Sequence, residues 1–115
     1  MSKRNDKLLI LDILDCIAKI QRYTKGYSLR EFSRDAKTID AVVRNIEIIG
    51  EASKHLSRKI KSRIDLPWKQ VIGMRNIIVH EYFGVDVKIV WRIVSSQLDE
   101  LKDLFENALN KTEEE

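Results

Sequence analysis

Arg75, Asn76, His80 and Tyr82 are the residues of this chain whose types and spacing could carry chemistry. Imidazole titrates near neutral pH, and guanidinium binds phosphate oxygens at two points. Polar groups in apolar surroundings are costly unless they are paired or open onto a cleft, so we expect a functional site here. The alternative is a satisfied core histidine and a surface arginine. The apolar neighbours lie almost all the way round a helical projection: Val71, Ile72, Met74, Ile77, Ile78 and Val79.

One straight helix does not bring Arg75 and His80 together. At about 100° per residue the two side chains point about 140° apart, whereas Asn76 and His80 share a face. Either the Arg75 side chain swings round its own helix, or a second copy of the helix supplies the partner across a two-fold axis, the commonest oligomer symmetry. We favour the second arrangement.

The helix that would carry these residues is predicted over roughly 67–82. Leu66 and Pro67 mark its start, because proline is accepted at the first helical position. Gly84 marks its end. Trp68 is interpreted as a packing residue rather than a platform for stacking bases, since no other aromatic residue lies near it in sequence.

Capping residues and apolar spacing predict the remaining helices. The first begins at Asp6 and ends near Gly26, a short second helix begins with a Ser28–Glu31 capping box, and a long third begins at Asp35.

The last helix is predicted to begin at Asp86 and to keep one apolar seam to Leu109, before an acidic, frayed tail over 111–115. With four Gly, one Pro and no strand-like alternation, the chain is predicted to be all-α, an antiparallel bundle of four to five helices.

Five cations and no acid lie between residues 54 and 63. Each one alone is explained by a solvated helix end, where cations complement the helix dipole. As a group they could follow the phosphates of a nucleic acid. The five are Lys54, Arg58, Lys59, Lys61 and Arg63.

Composition predicts one soluble domain over residues 1–115. A chain of 115 residues has no room for a second catalytic domain. The net charge of +3 is compatible with nucleic acid without demanding it. The single Cys16 excludes an internal disulfide and, with no apolar stretch near the length of a membrane span, indicates the cytoplasm. No ligand spacing for a metal and no glycine-rich phosphate loop occur, so neither a metal nor a cofactor is expected.

The pattern Arg75-x-x-x-x-His80-x-Tyr82 within PWKQVIGMRNIIVHEYFGVD, preceded by RNIEIIGEASKHL, resembles the HepT-like branch of the HEPN superfamily. The resemblance runs from the first helix to about Leu109. It implies a HEPN-type helical bundle that acts as a ribonuclease toxin, paired with an MntA-type nucleotidyltransferase antitoxin, while the homodimer is expected from the divergence of Arg75 and His80. By the family pattern Arg75 and His80 are the ribonuclease pair, Asn76 is the polar residue beside them, and Tyr82 is the tyrosine that the antitoxin modifies with AMP.

Cleavage of RNA by such a pair needs no metal, because RNA brings its own nucleophile, the 2′-hydroxyl. That group needs a base, for which His80 is suited, and a cation to stabilise the charged phosphorane, for which Arg75 is suited. Two other hypotheses remain. The cleft could bind a nucleotide or a partner without turnover, or the chain could be a structural helical dimer.

Overall fold

The computed structural model describes residues 5–69, 71–73 and 86–113. Within these ranges the regular backbone is helical and the chain forms no strand, so the all-α prediction is confirmed. Residues 68–69 and 71–73 are also helical. The helices are α1 (Asp6–Thr24), α2 (Leu29–Ser33), α3 (Ala36–Lys54), α4 (Arg58–Arg63), α5 (Val87–Ser96) and α6 (Leu98–Glu113).

The start of α1 differs by one residue from the prediction. The N-cap is Asn5, whose side-chain oxygen accepts a hydrogen bond from the backbone N–H of Leu8 at 2.9 Å. Asp6 is the first helical residue, and its carboxylate contacts Ser57 instead. At the other end α1 finishes at Thr24, and Gly26 turns the chain with a φ of 78°. That left-handed conformation favours glycine, so the predicted end at Gly26 is confirmed.

The antiparallel pair of α1 and α3 forms the centre of the core. Ser57, just after the end of α3, contacts Asp6 at the start of α1, so the two helices run in opposite directions. Isoleucine supplies most of their shared interior, and each fully buried isoleucine stabilises the fold by about 1.5–3 kcal/mol. The isoleucines with no exposed surface are Ile10, Ile13, Ile17, Ile20, Ile46 and Ile49.

Both predicted caps around α2 are present. Ser28 and Glu31 form the capping box, in which the Ser28 hydroxyl accepts from the Glu31 N–H and the Glu31 carboxylate accepts from the Ser28 N–H. Asp35 caps α3 by accepting a hydrogen bond from the Thr38 N–H at 3.1 Å. Phe32 of α2 is fully buried and lies 5.1 Å from Trp91 of α5, measured between ring centroids. This aromatic contact fixes α5 against the turn between α1 and α3.

The prediction of one unbroken last helix is wrong. Asp86 caps α5 as expected, but the helix is interrupted at Gln97 and continues as α6. The Ser95 and Ser96 hydroxyls donate hydrogen bonds to the carbonyls of Trp91 and Arg92, four residues before each. Such bonds compete with the backbone ladder and bend helices. The apolar seam continues through the break because Leu98, Leu101 and Phe105 are buried.

α6 packs beside α1 in the opposite direction. The Gln21 amide near the end of α1 donates a hydrogen bond of 2.8 Å to Asp99 at the start of α6. Among the described residues, no helix has the length and apolar character needed to cross a membrane.

Candidate functional site

Arg75, Asn76, His80 and Tyr82 lie outside the described residues, which stop at Gly73 and resume at Asp86. The approach to this segment is described. The Val71 N–H donates to the Pro67 carbonyl at 3.1 Å, the first helical hydrogen bond of the predicted central helix. Pro67 therefore lies one residue before the described helical turn, within the usual uncertainty of a helix boundary. Val71 is buried, as expected for a central helix.

Trp68 anchors the start of this helix to α4 and α6. Its indole N–H donates to the Lys61 carbonyl at 2.9 Å and is within 3.3 Å of the Ile64 carbonyl. Its ring forms a T-shaped contact with Phe105, with the ring centroids 5.9 Å apart. The half-buried indole packs against the core, so the interpretation of Trp68 as a packing residue is confirmed. The segment that follows it therefore starts from a fixed point.

The predicted basic run divides between the end of α3 and the separate helix α4. Ser57 caps α4 by accepting a hydrogen bond from the Ile60 N–H, and Ile60 is buried against the core. Burial of Ile60 turns the basic residues of α4 outward. The run consists of Lys54, Arg58, Lys59 and Arg63, which are exposed, and Lys61, which is half-buried.

Lys61 has a structural role that the sequence did not indicate. Its ammonium donates to the Lys54 carbonyl at 3.2 Å, which satisfies one of the carbonyls left open at the end of α3. The same residue's own carbonyl accepts from Trp68. Lys61 thus joins α3, α4 and the central helix through hydrogen bonds.

A groove beside the basic run was not anticipated from the sequence. It has a volume of about 390 Å³ and is lined by Leu9, Arg44, Glu47, Ile48, Glu51, Ala52 and His55. Its charged groups are paired along α3: Arg44 lies 3.6 Å from Glu47, and His55 lies 3.1 Å from Glu51. These exposed pairs are spaced three and four residues apart, so they support the helix by a few tenths of a kcal/mol each. Among the described residues that line this groove, none was predicted to act in chemistry.

Cys16 is excluded as a nucleophile. It is buried between α1 and its neighbours, and burial raises the pKa of its thiol to about 11. Since the thiolate is the reactive form, the side chain is inert at neutral pH. Within the described ranges, no three His, Cys, Asp or Glu side chains converge to form a metal-binding cluster.

Comparison with known proteins assigns the family. The family described as ribonuclease HepT-like matches residues 13–108 of this chain. The chain belongs to the HepT-like family. The matched residues include the whole interval between Gly73 and Asp86, so the Arg75-x-x-x-x-His80-x-Tyr82 pattern lies inside the HepT-like region.

Several relatives carry names that agree with this assignment. One from Thermococcus cleftensis, named "Probable ribonuclease HepT", is 39% identical over 105 residues, which cover 90% of this chain and 96% of that protein. A candidate RNase of Methanocaldococcus jannaschii is 37% identical over 103 residues, which cover 89% of this chain and 94% of that protein. A candidate RNase of Caldanaerobacter subterraneus is 38% identical over 98 residues, which cover 84% of this chain and 87% of that protein. No solved structure gives a significant match to this HepT-like chain.

Proposed function

We propose that this protein is an endoribonuclease that cleaves RNA without a metal ion, with Arg75 and His80 as its catalytic residues. The observation that carries this proposal is the HepT-like match over residues 13–108, which spans the Arg75-x-x-x-x-His80 pattern. The ribonuclease names of relatives that align over most of their length support the same activity. The helical residues 68–69 and 71–73 support a helical start to the segment that carries the pair.

In this reaction His80 removes the proton from a ribose 2′-hydroxyl, whose oxygen attacks the adjacent phosphorus. Negative charge grows on the phosphate oxygens as the phosphorane forms, and the Arg75 guanidinium stabilises it by hydrogen bonds to two oxygens. The bond to the 5′-oxygen then breaks, and that oxygen takes up a proton. The products are a 2′,3′-cyclic phosphate and a 5′-hydroxyl. Asn76, on the His80 face of an ideal helix, orients the imidazole or donates to the phosphate.

The basic run supplies contacts to the RNA backbone near this reaction. Lys54, Arg58, Lys59 and Arg63 are exposed, and α4 is joined to the start of the central helix through Trp68. Cations that neutralise phosphates provide affinity without sequence preference. Lys61 contributes its charge to the same surface, although its ammonium also donates to the Lys54 carbonyl.

We further propose that the protein is the toxin of a toxin–antitoxin pair and acts in the cytoplasm as a homodimer. An MntA-type nucleotidyltransferase would neutralise it by attaching AMP to Tyr82, two residues from His80. The added phosphate and base would occupy the place of the substrate phosphate and repel it. No step in this account requires a cofactor.

Growth of cells expressing the chain tests the proposal. The wild type should slow growth and His80→Ala should relieve it at equal soluble levels. His55→Ala is the matched control, because His55 is the only other histidine and its ring lies on the outer face of α3 beside Glu51. The His55 variant should remain as toxic as the wild type. Equal toxicity, or equal harmlessness, of the wild type and His80→Ala would refute the proposal.

A further inference from the structure

A second basic surface lies at the end of the molecule opposite α4. Four exposed cations surround the turn from α1 through α2 into α3, and they are called the corner surface here: Lys25, Arg30, Arg34 and Lys37. A hydrogen bond of 2.6 Å from the Tyr27 hydroxyl to Asp35 closes this turn, so the four cations are held at one end of the bundle. None of them forms an ion pair with an acid in the described part of the chain.

The two acids within this turn are engaged with neutral groups. Glu31 accepts hydrogen bonds from the N–H and the hydroxyl of Ser28 in the capping box. Asp35 accepts from the Thr38 hydroxyl at 2.6 Å and from Tyr27, and these bonds lower the pKa of its carboxyl to about 2. Because both carboxylates are held by local hydrogen bonds, they form no ion pair with Arg30 or Arg34.

Charge is segregated along the fold rather than spread evenly. The corner surface is separated from the basic run by the length of α1, whose 19 residues span about 28 Å. In contrast α6 is acidic, with five acids and two lysines over its length: Asp99, Glu100, Asp103, Glu106, Glu113, Lys102 and Lys111. α6 begins near the same end of α1 as the corner surface, where Asp99 accepts a hydrogen bond from Gln21. A polyanion is therefore attracted to the cations of the corner surface and of the basic run, and repelled from the neighbouring surface of α6.

We propose that the corner surface binds the phosphate backbone of RNA, as a contact distinct from the basic run and about 28 Å from it. The choice of RNA rests on the proposed ribonuclease function. The corner surface also lacks the apolar centre that a protein interface needs, because Leu29 is its only exposed large hydrophobic residue among those described. Phosphate binding needs only cations. Arg30 and Arg34 lie four residues apart, and each planar guanidinium can donate two hydrogen bonds to phosphate oxygens.

This surface predicts that the ribonuclease holds RNA beyond the nucleotides at its catalytic residues. Neutralising the corner surface should weaken binding to RNA of every sequence and reduce the salt dependence of that binding. Two lost contacts to single-stranded RNA should flatten the slope of log K against log salt by about 1.4, and weaken binding at low salt by on the order of tenfold to 100-fold.

Fluorescence anisotropy with a labelled 20-nucleotide single-stranded RNA tests this inference. The measurements use the His80→Ala chain as background, so that the RNA stays intact. Arg30→Gln/Arg34→Gln and, independently, Lys25→Gln/Lys37→Gln should each flatten the salt slope. Arg30→Lys/Arg34→Lys keeps the charge and should bind nearly as well as its parent. Lys102→Gln/Lys111→Gln removes the same charge from α6 and serves as the matched control. Circular dichroism establishes that each variant is folded.

Equal losses in the corner variants and in the α6 control would mean that only net charge matters, and would overturn the inference. So would tighter capture of a polyglutamate peptide than of RNA, because the partner would then be an acidic protein. The two proposals fail separately. Corner-dependent RNA binding without any cleavage by the wild-type chain would refute the ribonuclease function and leave this surface standing. Normal cleavage by the wild-type chain, together with unchanged RNA binding in the corner variants, would overturn this inference and leave the ribonuclease function standing.

Discussion

The carboxylate of Asp6 accepts hydrogen bonds from both the backbone N–H and the hydroxyl of Ser57, 51 residues further along the chain. Ser57 in turn accepts from the Ile60 N–H as the N-cap of α4. This link fastens the first residue of α1 to the helix that carries most of the basic run. The orientation of α4, and with it the start of the central helix, therefore depends on the N-terminal turn of the protein.

Replacement of Asp6 by Ala should lower the free energy of unfolding by about 1–2 kcal/mol, because the Ser57 N–H and hydroxyl lose a charged acceptor. Urea unfolding measures this change. Ser57→Ala should be destabilising as well, since it also removes the cap of α4. In a double-mutant cycle the two losses should not add, because they share one interaction. Strictly additive losses would show that Asp6 and Ser57 are not energetically coupled.

Asp35 gives the fold a defined acid sensitivity. Hydrogen bonds from Thr38 and Tyr27 lower the pKa of its carboxyl from 3.8 to about 2, so the folded state prefers the ionised form. Its stabilisation is fully present above the ordinary pKa of 3.8 and is lost as the pH falls through about 2.

Asp35→Asn keeps a side chain that can cap α3 but cannot ionise, so it isolates this effect. The wild type should be more stable than Asp35→Asn at pH 5, and the difference should shrink as the pH falls below 4 towards 2. Urea unfolding at several pH values provides the measurement. A difference that stays constant from pH 5 to pH 2 would contradict the role assigned to the carboxylate.

Local signals in the sequence predicted most helix ends. Ser28, Asp35 and Asp86 all cap the helices that they were expected to begin, since the capping residue and its N–H partners lie within a few positions of each other. The start of α1 was missed by one residue. Asn5 and Asp6 are both good capping types, and what separates them is Ser57, a partner too distant for any local pattern to reveal.

Two further features were hidden for different reasons. The break at Gln97 leaves the apolar seam intact, so hydrophobic spacing could not detect it, and two serine hydroxyls bonded to backbone carbonyls lie directly before it. The corner surface is spread over α2, α3 and the turns before them, so each cation alone resembled an ordinary solvated residue. Arg75 and His80 stay a prediction, which the sequence allowed because both lie on one short segment whose spacing resembles the HepT-like pattern.

Tyr82 is predicted to be the site of inhibitory modification. Co-expression with a cognate nucleotidyltransferase should add the mass of AMP to the peptide that contains Tyr82, and the modified protein should lose its activity on RNA. Mass spectrometry of the intact chain and of its peptides makes the test. Tyr82→Phe should carry no increment, and Tyr27→Phe is a control whose hydroxyl is already bonded to Asp35. An AMP increment that survives Tyr82→Phe would refute the assignment.

The divergence of Arg75 and His80 by about 140° on an ideal helix predicts a site shared between two chains. Arg75→Ala and His80→Ala homodimers should each be inactive. A forced heterodimer of the two mutants still holds one intact Arg75 and one intact His80 across the interface, so it should regain part of the wild-type cleavage.

A site built within one chain gives the opposite pattern. Heterodimers of the two single mutants, isolated with different tags, would then stay as inactive as their parents. A heterodimer of the wild type with the double mutant would be active. That outcome would mean that the Arg75 side chain reaches His80 around its own helix.

Cleavage of end-labelled RNA by the purified protein in the presence of EDTA tests the central claim most directly. The wild type should cut the RNA at an undiminished rate and leave a 2′,3′-cyclic phosphate, His55→Ala should match it, and His80→Ala should be slower by about 10²–10⁴-fold, the usual contribution of a general base. Equal rates for the wild type and His80→Ala would contradict the account. So would loss of cleavage in EDTA that a divalent ion restores.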